Sequence, residues 1–246
     1  MLSDDDFMTG ICRLCGKQGP LIESHILPEF VYRPSYDNSH TSLLIDLQRS
    51  RKIKRQKGFT QHLLCSACEN KFSKMEKYFS DIWFGKKRLR PISLVGKMIQ
   101  ITGVDYAKFK LFHLSIIWRA GVASIPEFSN VRLGAQEPKL RKRLLEDNPG
   151  DPTDYPFFGI ALRDPQTGGF QDRILKAPDA ARVESHWIYT FIFGGVQWNY
   201  CISSHKSQQP IPVYFAENGL LTLAIQDWTS NLFVRSLAKD IHKMIK

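Results

Sequence analysis

Cys12-Arg13-Leu14-Cys15 and Leu63-Leu64-Cys65-Ser66-Ala67-Cys68-Glu69 are the two stretches on which the reading of this chain turns. Two CxxC pairs read as the ligands of one tetrahedral zinc, since a two-residue spacing lets both thiolates of a pair face one ion from a tight turn. Gly16 follows the first pair, where such a turn favours a residue without a Cβ. Forty-nine residues separate the pairs, so an insert must loop out between the two knuckles. A disulfide framework is not expected in a chain of 246 residues that opens Met1-Leu2-Ser3-Asp4-Asp5-Asp6, without a secretory leader. The bland reading of the four cysteines is a set of reduced, buried thiols. Cys201 stands alone and reads as a small apolar residue in a strand.

The insert opens with Leu21-Ile22-Glu23-Ser24-His25-Ile26-Leu27-Pro28. An apolar strand delivers a histidine, and a proline three residues later turns the chain. A helix is expected from the second knuckle onward, with Phe72, Met75, Phe79, Ile82 and Trp83 as its buried stripe. Glu69 falls in its first turn, where the helix dipole favours a carboxylate, and Ser73 and Glu76 follow it along another stripe.

A CxxC, then S-H-I-x-P, then L-L-C-x-x-C followed by an acidic residue and x-x-F, resembles the HNH endonucleases, which have the ββα-metal fold. The resemblance covers about residues 10–84, a third of the chain. It implies that His25 is the general base and that Glu69 takes the place of the residue holding the catalytic metal, a divalent ion such as Mg²⁺, Mn²⁺ or Ni²⁺. It also implies DNA rather than RNA as substrate. The chemistry calls for such groups: a neutral imidazole can take a proton from water near neutral pH, and a divalent cation offsets charge on the leaving oxygen. Two departures stand out. Familiar members have Asp before the histidine, where this chain has Ser24, and the Asn of the family pattern would fall near Thr60, where only Gln61 or His62 offers a substitute. With Ser24 there, the first metal ligand becomes His25 itself, Glu23 or Glu76. In the first case His25 is no free base, and a transition metal fits better than Mg²⁺. The other reading is a catalytically inactive, zinc-stapled nucleic-acid-binding or adaptor module that acts with a protein partner.

Charge points the same way. Thirty-four Lys and Arg oppose 24 Asp and Glu, giving a net charge of +10, and residues 1–100 hold +7 of it. A polyanionic partner, nucleic acid first, is the expectation. Arg49, Arg51, Lys52, Lys54, Arg55 and Lys57 form one basic cluster, and Lys86, Lys87, Arg88 and Arg90 a second. Both are candidate phosphate contacts; if half of them serve, the logarithmic salt slope is about −4 to −5. The bland reading is a solvated loop, and stretch 35–57 is expected to lack regular structure until nucleic acid binds.

The fold class expected is α+β: an N-terminal HNH-like module over 1–100, and a C-terminal antiparallel sheet covered by helices over 101–246. Residues 107–122 form a helix apolar on most sides, hence buried, and a polar helix covers Gln136–Leu145. Trp187–Phe193, Gly194-Gly195 and Val196–Ile202 predict a hairpin with a two-residue turn. Its register puts Phe193 opposite Val196, Phe191 opposite Trp198, Tyr189 opposite Tyr200 and Trp187 opposite Ile202, all on one face. Strands are also expected at Phe157–Leu162, Ile211–Ala216 and Leu220–Ile225, and a final helix at Trp228–Ile245. The aromatic face reads as core, with a base-stacking platform as the rival. Recognition, homo-oligomerisation or docking of an operon-encoded partner are the roles open to this half. No run of 18 apolar residues suggests a membrane span, and the cytoplasm is the expected compartment.

Overall fold

The computed structural model describes residues 8–46, 51–85, 89, 91–95, 97–184, 186–203 and 215–245. The chain is mixed α+β. It begins with a small antiparallel hairpin, β1 (Thr9–Ile11) and β2 (Gln18–Pro20), which carries the first cysteine pair in its turn. β3 (Ile22–His25) follows, then 3-10 turns at Glu29–Val31 and Arg33–Ser35. β4 (Ser42–Asp46) and β5 (Arg51–Arg55) pair antiparallel, with Leu44 opposite Ile53. Stretch 35–57 was expected to lack regular structure, and this ribbon corrects that. Leu43-Leu44-Ile45 in β4 and Ile53 in β5 suit a strand, and pairing between the two halves satisfies the backbone. β6 (Thr60–Leu64) returns to pair antiparallel with β3, and α1 (Ser66–Trp83) starts directly after Cys65. Its buried face is Cys68, Phe72, Met75, Phe79 and Ile82, four of them the predicted stripe; Trp83 is only half-buried.

β7 (Pro91–Val95) and β8 (Met98–Ile101) form a hairpin that belongs to the large sheet, ahead of residue 101. α2 (Tyr106–Val122) and α3 (Glu137–Leu145) come next, followed by β9 (Phe157–Arg163), β10 (Lys176–Val183), β11 (His186–Phe193), β12 (Val196–Ile202), β13 (Leu221–Asp227) and α4 (Leu232–Ile245). Among the described residues the large sheet has seven strands in the order β10-β11-β12-β9-β13-β8-β7. All neighbours are antiparallel except β9 and β13, which run parallel. The β11–β12 register is the predicted one, residue for residue. Gly194 and Gly195 both take positive φ (61° and 76°), which a two-residue turn of this hand needs.

α2 lies between α1 and the sheet and is buried on nearly every side. The Phe79 ring on α1 stacks on Phe112 of α2 with centroids 4.1 Å apart, and His113 of α2 lies 4.3 Å from Phe157 and 4.4 Å from Trp198 on the sheet. One continuous apolar core therefore contains residues from both parts of the chain, including Cys12, Phe72, Phe109 and Trp198. The aromatic face of the hairpin is core, apart from Trp187 at the strand start, which is 44% exposed. The opposite face is also covered. There Asn231 donates to both Gln197 and Gln226, and Thr190 and Gln197 donate to Asn199. Of the expected strand at 211–216, residues 211–214 lie outside the described residues; Phe215 makes an isolated bridge to Leu221.

Candidate metal centre and the strand end beside it

The four sulfurs of Cys12, Cys15, Cys65 and Cys68 all lie within 4.8 Å of one another, and all four cysteines are free thiols. The turn after β1 supplies one pair and the start of α1 the other. Cys12 amide donates to the Lys17 carbonyl and Gly16 amide to the Cys12 carbonyl, closing the first knuckle; Gly16 takes φ 78° to do so. Arg13 amide donates to the Leu63 carbonyl, which ties that knuckle to β6. Cys15 and Cys65 Sγ are 3.8 Å apart. Four sulfurs each about 2.3 Å from a central zinc have edges of about 3.8 Å in a regular tetrahedron. The donor set therefore fits zinc in kind and in size, and the cluster could hold such an ion. Burial pushes the Cys68 thiol well above its ordinary range, with hydrogen bonds from Cys65 and Cys12 adding to the rise. At Cys12 burial acts upward too, but backbone hydrogen bonds from Cys15, Cys65 and Leu14 overcome it and bring that thiol down to about 7.

Directly after Cys68 comes Glu69, and its carboxylate reaches β3. Ser24 Oγ donates to Glu69 Oε2 at 2.7 Å, with Ser24 fully buried. His25 is the next residue along the strand, so its side chain leaves by the opposite face. There its Nε2 lies 3.2 Å from Glu29 Oε2, without hydrogen-bond alignment. Glu29 is itself held by the Tyr36 hydroxyl and by Gly58 amide, and His40 Nε2 lies 3.9 Å from its other oxygen. Thr60 stands opposite His25 in the β3–β6 register, and its hydroxyl donates to Glu23 at 2.7 Å. That hydrogen bond leads the causes that hold the Glu23 carboxyl below its ordinary range, with Lys57 assisting. Gln61 does not turn toward His25: its amide exchanges two hydrogen bonds with Ser124 beyond α2.

The cysteine pairs are thus brought together, Glu69 is brought to Ser24, and the His25 ring is brought to Glu29. Glu76 is brought to neither; its Oε1 lies 2.7 Å from Nη1 of Arg119. Among the described residues no second group of three His, Cys, Asp or Glu side chains is as tightly gathered as the cysteines. Glu69 with the neighbouring Ser24 hydroxyl offers oxygen donors only. That set suits a hard ion completed by water and substrate phosphate better than an all-protein cage.

Lys52, Lys54 and Lys57 are exposed on or just after β5, and Arg55 is half-buried over the Phe59 ring. Arg55 and Lys57 border a cleft of about 420 Å³ that is also lined by Arg173 and Lys176. Arg49, Lys86, Lys87, Arg88 and Arg90 lie outside the described residues, as does the side chain of Arg51.

Sequence reasoning missed Glu29 and Arg119. Glu29 carried a signal, because it lies four residues beyond His25 across a proline turn. Arg119 carried another, as a charged residue inside an apolar helix, where a buried charge has to find partners. Among the described residues no helix is long and apolar enough to cross a membrane. The chain matches no family model, no curated protein and no solved structure.

Proposed function

We propose that this chain is a metal-dependent HNH-type endonuclease that hydrolyses phosphodiester bonds, with DNA as the substrate. The observation that carries the reading is the direct contact of Ser24, the residue before His25 in β3, with Glu69, made where four cysteines from the first knuckle and the start of α1 gather. In this reading the cysteines hold one structural zinc. His25 accepts the proton of the attacking water, and the 30% exposure of its side chain leaves it within reach of substrate. Glu29, lying against one ring nitrogen, sets the orientation of the imidazole. Glu69 holds the divalent cation, which supplies charge neutralisation at the leaving oxygen when bound. Lys52, Lys54, Arg55 and Lys57 provide phosphate contacts that carry no sequence information.

The test is nicking and cleavage of plasmid DNA, linear DNA and RNA with Mg²⁺, Mn²⁺ or Ni²⁺, comparing wild type with His25→Ala and Glu69→Gln. Cleavage that falls at least a hundredfold in both variants supports the reading. Equal activity in wild type and His25→Ala removes His25 as the base. A second reading has one observation in its favour. Ser24 is fully buried and already occupies a Glu69 oxygen, and a hydroxyl is a poor ligand for a hard cation. A zinc-stapled nucleic-acid-binding module without catalysis would bind DNA with steep salt dependence, unaffected by His25→Ala, and cleave nothing under any of the three metals.

A further inference from the structure

Arg119 is fully buried in the middle of the molecule, on the α2 face that meets α1 and β3. Its Nη1 donates to the main-chain carbonyl of His25 at 2.7 Å and lies 2.7 Å from Glu76 Oε1. The guanidinium carbon lies 5.4 Å from the centre of the Phe72 ring, and Nη2 reaches Ser115 Oγ at 3.4 Å. One side chain therefore joins α1, α2 and the last residue of β3. A buried ion pair is a poor way to gain stability, because apolar side chains of equal volume would pack there as well or better. What the pair adds is direction: a rigid fork whose Nε and Nη2 face Ser115 on α2 itself while Nη1 is aimed at the His25 peptide.

We infer that Arg119, oriented by Glu76, is the positioning residue that fixes the His25 peptide, and that α2 thereby completes a site whose reacting groups all lie in the first 76 residues. Residues beyond 100 would then be part of the site's framework and not only a recognition unit. The inference deepens the nuclease reading and rests on it for its catalytic consequence. Its structural content is separate. Without the guanidinium, the His25 carbonyl loses its donor from α2, and among the described residues the His25–Ile26 peptide is held only by the Ile26 amide on the Phe59 carbonyl.

The experiment compares wild type with Arg119→Met/Glu76→Met, in which the charge pair is replaced by apolar side chains of similar length, and with Arg119→Lys. Zinc content and thermal midpoint report whether each variant is folded. His25 imidazole resonances are followed by ¹⁵N–¹H NMR, and cleavage is followed as kcat and KM separately. The expected result for the double variant is one zinc per chain, a thermal midpoint near that of wild type, and broadened or doubled His25 resonances. Its kcat should fall at least tenfold with KM within twofold. Arg119→Lys, which keeps the charge but not the fork, should show an intermediate loss. A folded double variant with wild-type His25 resonances and wild-type kcat overturns the inference. If the double variant loses its fold, Arg119→Lys decides by the same two readouts. If wild type itself cleaves no nucleic acid, the nuclease reading fails, and the NMR comparison alone still decides whether Arg119 positions His25.

Discussion

At Ser24 a buried hydroxyl donates a hydrogen bond to Glu69, in the position where a familiar HNH pattern has a carboxylate. Replacing it by Asp would set a buried carboxylate against the partly buried carboxylate of Glu69. Ser24→Asp is therefore expected to lose about 2 kcal/mol or more of stability in EDTA. Millimolar Mn²⁺ or Mg²⁺ should restore much of it, because the second carboxylate completes an oxygen ligand set. Thermal melts with and without the cation check this, and a variant whose melting point ignores the cation would exclude the place between residues 24 and 69 as a metal site. The four-cysteine cluster was legible in the sequence because the spacing within each pair is local and its chemistry narrow. Arg119 was not, since its partners Glu76 and the His25 carbonyl lie 43 and 94 residues away in the chain and only folding brings them together.

At the scale of elements, α1 depends on the knuckle from which it springs. Cys65 is its N-cap residue, and no side chain caps its first turn. A zinc held by Cys65 and Cys68 would fix that turn directly. Cys68→Ser is expected to abolish stoichiometric zinc binding and to cost at least about 3 kcal/mol, read by metal analysis and urea titration. Strong chelation of the wild type should give the same loss. The β11–β12 turn makes a second prediction. A Cβ on Gly194, which sits at φ 61°, would come within 2.9 Å of the Trp83 Nε1 that donates to the Gly194 carbonyl. Gly194→Ala should cost about 1–2 kcal/mol and shift Trp83 fluorescence, whereas Gly169→Ala, which meets only Thr167 at 3.6 Å, should cost far less. This hairpin was legible to the residue because its aromatic alternation and Gly-Gly turn agree. β10 was not: Lys176-Ala177-Pro178-Asp179-Ala180-Ala181 has little strand preference of its own and is a strand because β11 offers it an edge. β7 and β8 gave no such signal, because Pro91 and Gly96 in the sequence interrupt any run of alternating residues.

For the whole molecule, the shared core puts a titratable group at its centre. His113 is fully buried, its Nδ1 is 2.8 Å from the Tyr200 hydroxyl, and burial holds its imidazole well below the ordinary histidine range. The folded chain therefore keeps it neutral, while the unfolded chain takes up a proton as pH falls through about 6.5. Its contribution to stability is present above that pH and is lost below it, by up to about 1.4 kcal/mol per unit. Urea midpoints at about pH 7 and about pH 5.5 should fall more steeply in wild type than in His113→Phe, which cannot take up that proton. Parallel curves would show that His113 does not contribute to the acid sensitivity. The α+β class was legible at this scale; the burial of α2 between α1 and the sheet was legible only as a helix without a polar side.

The strand order has a consequence for how this chain must be made. β13 is inserted between β9 and β8, and it is the last strand in the chain. Until it arrives, the β10-β11-β12-β9 group and the β7–β8 ribbon are separate pieces, each with an open row of amides and carbonyls along Phe157–Arg163 and Met98–Ile101. A ribosome that halts before Leu221 thus releases a product with two adhesive borders and no keystone. Such a product should accumulate in inclusion bodies, whereas one that stops after Asp227 lacks Asn231 and α4 but has β13 in place between β9 and β8.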